Sequence, residues 1–213
     1  MLIFDLFSGT NSSTQGFRDA GDTVISFEID KQFEATEHVD VMDLTAEYLL
    51  STYGQPDFVW ASPPCTAFSV ASIGHHWMRG GVNPLPKTDS AKKSQDLVEH
   101  TKNLIQKLQP THGFLIENPR GMLRKLPVLK DLPMSTITYC QYGDNRMKPT
   151  DLWGDVPGWW PRPACKNGDS CHEAAPRGSR TGTQGLKDAK TRSRIAPELS
   201  TELRQAIMNE RQR

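Results

Sequence analysis

Short apolar runs and longer amphipathic stretches alternate along the first half of the chain. Residues 2–7 (LIFDLF) are almost continuously apolar and predict a buried strand. A loop of Ser, Gly, Thr and Asn follows at 8–13, then a short helix running toward Ala20. Residues 23–27 (TVISF) predict a second strand, and residues 43–53 a helix capped by Asp43. Another strand is predicted at 57–61 (DFVWA) and a further one at 112–116 (HGFLI). The longest predicted helix covers 90–108, with apolar positions at Leu97, Leu104, Ile105 and Leu108. Strands alternating with helices predict an α/β fold with a parallel sheet and helices on both faces. Ligands of such sheets gather at the carboxyl ends of the strands, so the residues just after each strand carry the chemistry.

The pattern fails at residues 154–194, where Pro157, Pro161, Pro163, Pro176 and several glycines leave little periodicity. This predicts a small irregular insertion, with Trp153, Trp159 and Trp160 packing it onto the sheet. Residues 196–211 are helical in pattern and are expected to close the structure. The predicted organisation is a main domain at 1–153, the insertion at 154–194 and a completing C-terminal helix at 195–213.

Composition narrows the class. At 213 residues, 36% hydrophobic and 23% charged, the chain is long enough for a real core and not of disordered type. No apolar run reaches membrane-span length, and MLIFDLF has no basic flank of the kind a secretory leader carries. Four sparse cysteines suit a reducing cytoplasm. The net charge is zero, yet residues 1–60 hold two basic and eleven acidic side chains, while both later thirds are net basic. Such asymmetry permits a polyanion on one face.

The strand ends carry distinctive residues. Asp5–Thr10 reads DLFSGT, a strand entering a glycine-containing loop where backbone can approach a cofactor. The second strand ends in Glu28, an acid placed to hold a ribose diol. Residues 61–69 read ASPPCTAFS, in which Pro63 and Pro64 stiffen the chain before Cys65 and set that thiol as a nucleophile. Residues 114–121 read FLIENPRG and leave Glu117 at the end of an apolar strand, where burial would raise its pKa and suit it to donate a proton. Each of these residues also has a bland reading: a solvated cap, a buried structural thiol, a helix N-cap pair.

Taken in order, DLFSG, FEID, PPCTAFS and ENPRG resemble the cytosine-C5 methyltransferases that use S-adenosylmethionine. The resemblance implies a Rossmann-like S-adenosylmethionine-dependent methyltransferase fold. It implies Cys65 as nucleophile and Glu117 as the acid on the base. It places Asp5, Phe7, Gly9, Thr10, Glu28, Ile29, Asp43, Leu44 and Pro63 on the cofactor side, and Pro64, Ser69 and Asn118 on the substrate side. QYGDNRMKPTDLW is similar to the family's Tyr-Gly-x-x-Gln-x-Arg-x-Arg stretch, with Arg146 where Gln is expected and Lys148 where the first Arg is expected, both read as catalytic cations. SRIAPELSTELRQAI resembles the closing motif, a Pro-led helix near the cofactor. The implied partner is DNA, its target cytosine flipped out of the stack.

The chain departs from the family in three places. Asn11 stands where a second loop glycine is usual, and the Gly-Asn that opens the closing motif is missing. The large target-recognition domain shrinks to about forty residues, too few for a typical domain, as in compact phage and prophage members. Residues 161–194 hold eight basic against three acidic side chains, so Arg177, Arg180 and Gln184 are expected to take over recognition. The polar segment 69–89, with His75, His76, Trp77 and Arg79, is expected to be a mobile loop closing over substrate. Cys165, Cys171 and His172 could hold zinc, but C-x5-C-H is no standard finger and a fourth ligand, Cys140, requires the fold to bring it near. The trio is expected to be incidental. RNA, a free nucleotide or a single strand remain alternative substrates, and a binding protein without turnover is the alternative class.

Overall fold

The structure, a computed structural model, describes residues 1–78, 84–174 and 188–212. One seven-stranded sheet organises them. Its strands are β1 (Leu2–Leu6), β2 (Thr23–Glu28), β3 (Glu37–His38), β4 (Phe58–Ala61), β5 (Phe114–Pro119), β6 (Met134–Thr138) and β7 (Pro149–Asp155), in the order β3-β2-β1-β4-β5-β7-β6. The pairs from β3 to β5 are parallel, and β7 runs antiparallel to both β5 and β6. The helices are α1 (Gln15–Asp19), α2 (Ala46–Tyr53), α3 (Ile73–His76), α4 (Asp89–Leu108), α5 (Ala189–Ser193) and α6 (Pro197–Arg211).

Two-residue alternation along the central strands sorts their side chains into two cores. Phe4, Val59, Ala61 and Ile116 face α2 and α4, where Leu49, Val98, Leu104, Ile105 and Leu108 meet them. Their sequence neighbours Ile3, Phe58, Trp60 and Leu115 face the other way, onto Phe17 of α1 and Leu199, Leu203 and Ile207 of α6. Covering both faces explains why the central strands read as unbroken apolar runs.

Several elements differ from the sequence expectation. The helix predicted from Asp43 begins three residues later, because Thr45 Oγ1 accepts from Tyr48 N at 3.2 Å and takes the cap. Asp43 instead ends a 3-10 turn, Val41–Asp43, which Asp40 caps through Met42 N at 3.0 Å. The strand predicted at 112–116 lies later, at Phe114–Pro119, because β7 pairs Glu117 with Leu152 and Asn118 with Asp151 and so draws both into the sheet. Pattern alone missed β3, β6 and β7. β3 is two residues long, β6 reads MSTIT, and β7 carries the buried Asp151, which accepts from Arg124 Nε at 2.8 Å. β7 also continues past the expected boundary at Trp153 to Asp155, and Val156 and Trp159 sink into the second core. Trp153 is buried as expected, but Trp160 is 85% exposed and packs nothing down.

The segment after Cys65 is anchored over its described part, contrary to the free loop expected. Trp77 is buried, stacks on Phe68 at 6.0 Å and donates Nε1–H to Ala67 O at 2.7 Å. His76 Nδ1 lies 2.8 Å from Thr88 Oγ1. Arg79 falls outside the described residues.

Candidate active site

The order β2-β1-β4-β5 sets the loops after these four parallel strands side by side, with Leu6 opposite both Phe27 and Ala61, and Ala61 opposite Ile116. The loop after β1 is tightly folded. Phe7 and Gly9 both have positive φ, 63° and 47°, and only glycine adopts this region without cost. Asn11 follows at φ 59° and ψ 11°, a left-handed conformation that asparagine tolerates better than most residues. Its side chain secures the turn: Nδ2 donates to Glu34 O at 2.8 Å, and Oδ1 accepts from Arg18 at 3.1 Å. The departure from glycine at this position is therefore conformationally conservative.

Glu28, at the end of β2, accepts from Gly9 N at 2.8 Å through one oxygen and from Asp30 N at 3.0 Å through the other. An ionised carboxylate has about four acceptor positions, so two remain for a ligand diol. Ile29 is 62% exposed and Met42 45% exposed, large apolar surfaces next to that acid and next to Asp43 in sequence. Asp43 is itself exposed, whereas Leu44 belongs to the first core, so its side chain is packed away from any ligand. Thr10 Oγ1 lies 2.9 Å from Ser12 Oγ, and Ser12 Oγ accepts from Ile195 N at 3.0 Å, which ties the C-terminal segment to this loop. Asp5 is fully buried. Its Oδ2 accepts from Ser13 and Thr14, while its Oδ1 and the buried Ser8 Oγ have no partner among the described residues. Burial raises the Asp5 pKa to about 6.

Cys65 opens a tight turn after β4. Phe68 N and Ser69 N both donate to Cys65 O at 2.9 Å, and Ser69 Oγ lies 2.9 Å from Ser72 Oγ. Pro63 is buried under the turn, Pro64 is exposed, and Cys65 is half-buried, so its thiol is held firmly yet reachable. The turn is clamped to β5. Asn118 Nδ2 donates to Pro63 O at 2.9 Å, and Met122 N donates to Phe68 O at 2.7 Å. Gly121 makes this approach possible, because a Cβ there would lie 2.3 Å from Phe68 O.

Glu117 is buried at 5% exposure and accepts from Tyr139 Oη at 3.1 Å. Burial pushes its pKa up, and the Lys148 charge and the Tyr139 hydrogen bond hold it partly down. Burial also raises the Cys65 thiol, the Glu117 charge adds to the rise, and Lys148 opposes it. Lys148 is lowered by its own burial and supported by Glu117. Its ammonium sits 4.4 Å from the Tyr139 ring centroid and donates to Arg192 O at 3.1 Å. A thiol, a carboxyl and an ammonium that shift one another form one electrostatic unit, as acid–base sites do.

Arg146 is placed differently from the sequence expectation of a cation facing substrate. Its guanidinium is engaged on every side: by Asp144 through Nε at 2.8 Å and through Nη2, and by the carbonyls of Thr191, Arg192 and Arg194 at 3.1 to 3.3 Å. It fastens α5 and the strand-like residues after it to the site rather than presenting charge to a ligand. Sequence reasoning missed Tyr139, and the available signal was an aromatic residue three positions before Tyr142. Arg177, Arg180 and Gln184 lie outside the described residues. The fold does bring Cys140 to Cys165, Cys171 and His172.

Comparison with known proteins agrees with this geometry. The family model described as C-5 cytosine-specific DNA methylase matches residues 1–130. The chain is 31% identical over 176 residues to a protein of frog virus 3 (isolate Goorha) named "Probable DNA (cytosine-5)-methyltransferase", covering 80% of this chain and 78% of that one. It is 30% identical over 129 residues to the type II methyltransferase M.AplI of Arthrospira platensis, covering 59% of this chain but only 33% of that one. Among solved structures, the Entamoeba histolytica methyltransferase EhMeth superimposes with a TM-score of 0.54 at 13% identity, over 74% of this chain and 54% of that one, a likeness of fold.

Proposed function

The chain belongs to the C-5 cytosine-specific DNA methylase family, and from that premise we propose that it methylates carbon 5 of cytosine in DNA, with Cys65 as the nucleophile and Glu117 as the acid on N3. One observation carries the assignment of roles: the Cys65 turn is fastened by Asn118 to the strand that bears Glu117, with Lys148 acting on both.

The cofactor, S-adenosylmethionine, suits the residues on the β1 and β2 side. The paired Glu28 carboxylate fits a ribose diol, and exposed Ile29 and Met42 fit an adenine face. The unpartnered Asp5 Oδ1 and Ser8 Oγ leave buried polar capacity beside the glycine turn. When bound, S-adenosylmethionine supplies an electrophilic methyl group.

The protein's own part begins at Cys65. Its thiol is held above the ordinary range, so in the resting site it keeps its proton. Loss of that proton lets the thiolate form a bond to C6 of cytosine. The C5=C6 electron pair then moves into a C4=C5 enamine, and N3 takes a proton from Glu117, which burial predisposes to carry one. Carbon 5 thereby becomes the nucleophile that accepts the methyl group. Loss of the C5 proton to a base regenerates C5=C6 and expels Cys65 as thiolate, while N3 returns its proton to Glu117. Tyr139 fixes the Glu117 carboxyl, and Lys148 offsets negative charge around it. A stacked base cannot reach a half-buried thiol, so a duplex substrate is flipped out. The basic excess of residues 161–194 meets the phosphates, in place of a large recognition domain.

The test is transfer of labelled methyl to duplex DNA, single-stranded DNA, tRNA and dCMP in parallel, with Cys65→Ala as control. Label on DNA, lost in the variant and mapped to 5-methylcytosine, is the expected result. A duplex carrying 5-fluorocytosine, which has no C5 proton to lose, should stay bonded to the protein through Cys65. Label on tRNA or dCMP alone would overturn the DNA assignment, and cofactor binding with no transfer to any substrate would indicate a binding protein.

A further inference from the structure

Outside the active site, three thiols and an imidazole converge on one point at the start of the irregular segment. Cys140 comes from the 3-10 turn Tyr139–Tyr142 after β6, while Cys165, Cys171 and His172 come from the loop beyond β7. Their ligand atoms all lie within 4.8 Å of one another. Cys140 Sγ is 3.0 Å from Cys165 Sγ and 3.6 Å from Cys171 Sγ, and His172 Nδ1 is 3.7 Å from Cys165 Sγ and 3.6 Å from Cys171 Sγ. We propose that Cys140, Cys165, Cys171 and His172 form a closed, four-coordinate zinc site that staples the loop beyond β7 to the turn carrying Tyr139.

The geometry supports this directly. A tetrahedral zinc with ordinary Zn–S and Zn–N bonds has S–S edges of about 3.8 Å and S–N edges of about 3.6 Å. Three of these four contacts already stand within about 0.2 Å of those edges. The fourth, between Cys140 and Cys165, must open by about 0.8 Å, and at 3.0 Å it is far longer than a disulfide bond of about 2.05 Å. None of the four residues belongs to either apolar core, so packing does not account for their meeting. Three soft thiolates and one imidazole in this arrangement select zinc over harder cations. On binding, each thiol gives its proton to solvent and all four metal positions are filled by protein, which makes the site structural rather than hydrolytic.

The surroundings fit that role. Gln141 Nε2 donates to Cys171 Sγ at 3.4 Å, a contact that steadies a thiolate ligand. Cys165 N donates to Thr138 Oγ1 at 3.0 Å and Glu173 N to Asn145 O at 2.9 Å, so both ends of the loop already bond to the segment the metal would clamp. Within the loop, the described residues form only short turns, one of them closed by Lys166 N donating to Asp169 Oδ2 at 2.7 Å. A segment so poor in buried side chains gains its order from a cross-link. Cys140 follows Tyr139 directly, so the same clamp fixes the residue that holds Glu117.

The full-length chain, purified without a metal-affinity step, should carry about one zinc per molecule by mass-spectrometric metal analysis. Exchange for cobalt(II) should give the visible bands of a tetrahedral site and a sulfur-to-cobalt charge-transfer band. Cys171→Ser and His172→Ala should lose the metal on gel filtration, while Cys65→Ser should retain it. The cobalt spectrum of the unaltered protein decides the matter even where a variant fails to fold. Zinc-free protein that takes up neither zinc nor cobalt, with three freely alkylated thiols or a Cys140–Cys165 disulfide by peptide mapping, would overturn the proposal.

Discussion

The phenol of Tyr139, in the turn that follows β6, donates to the Glu117 carboxyl of β5 at 3.1 Å. The acid of the site is thus held from a part of the molecule remote in sequence. Tyr139→Phe keeps the buried ring and removes only this bond. We expect kcat to fall about tenfold to a hundredfold, the range for a hydrogen bond to a charged group, with Tm nearly unchanged. Because the bond holds the Glu117 pKa down, its loss should move the Glu117 limb of the pH–rate profile to higher pH. An unchanged kcat and profile would show that Tyr139 is packing alone.

Lys148 pulls down both the Cys65 thiol and the Glu117 carboxyl. In Lys148→Met both should rise, so less thiolate is present at any given pH. Iodoacetamide labelling of Cys65, followed by peptide mass spectrometry across pH, should show its midpoint displaced upward relative to the unaltered protein. Displacement downward, or none, would remove Lys148 from the site's electrostatics.

Asp5 gives a pH signature of stability. Its pKa is raised from 3.8 to about 6, so the folded state holds this proton more tightly than the unfolded chain does. The stabilisation is complete below about pH 4 and is lost as pH rises through about 6, up to about 3 kcal/mol. Asp5→Asn should flatten that fall and make the protein more stable than the unaltered chain at pH 7. Urea unfolding between pH 4 and 7 measures both, and parallel curves for the two proteins would contradict the assignment.

Asn11 tests the glycine turn. Because the position already occupies the left-handed region, Asn11→Gly should lose only the side-chain bonds to Glu34 O and Arg18, about 0.5–1 kcal/mol, and leave cofactor affinity nearly intact. Asn11→Val should cost about 1–2 kcal/mol and weaken S-adenosylmethionine binding by calorimetry. Equal behaviour of the two variants would mean that backbone conformation at this position is unimportant.

Gly121 is the point where β5's exit passes under the Cys65 turn. Gly121→Ala would drive a methyl group against Phe68 O, which is backbone and cannot step aside cheaply. The expected outcome is a loss of several degrees in Tm together with slower Cys65 alkylation. Unchanged values for both would contradict the close approach.

The parallel half of the sheet was legible because β1, β2, β4 and β5 are buried on both faces and so read as apolar runs. The residues at their ends were legible for the same reason, since a buried strand that stops at Glu28, Cys65 or Glu117 marks a place where chemistry interrupts packing. The antiparallel half was not. β7 contains Asp151, satisfied by Arg124 from a distant turn and by Thr136 of β6, and β6 carries hydroxyls on much of its length. Arg146 was misjudged as a substrate-facing cation because, Asp144 apart, its partners are the carbonyls of 191, 192 and 194, some 45 residues away, which leave no local pattern. The meeting of Cys140 with Cys165, Cys171 and His172 was hidden likewise, as it depends on the turn after β6.

Helix α6 packs on α1 so closely that a Cβ on Gly16 would lie 2.5 Å from Thr201 N, and Gly16 N donates to Ser200 Oγ across 184 positions of sequence. Arg204 of the same helix reaches Asp22 at 2.7 Å. On the ribosome, β1 and its glycine turn emerge well before the helix that covers their outer face. The nascent chain therefore keeps Phe17 and the second core open to water until α6 has been made. Synthesis interrupted before α6 leaves a fragment whose second core has lost the cover of that helix.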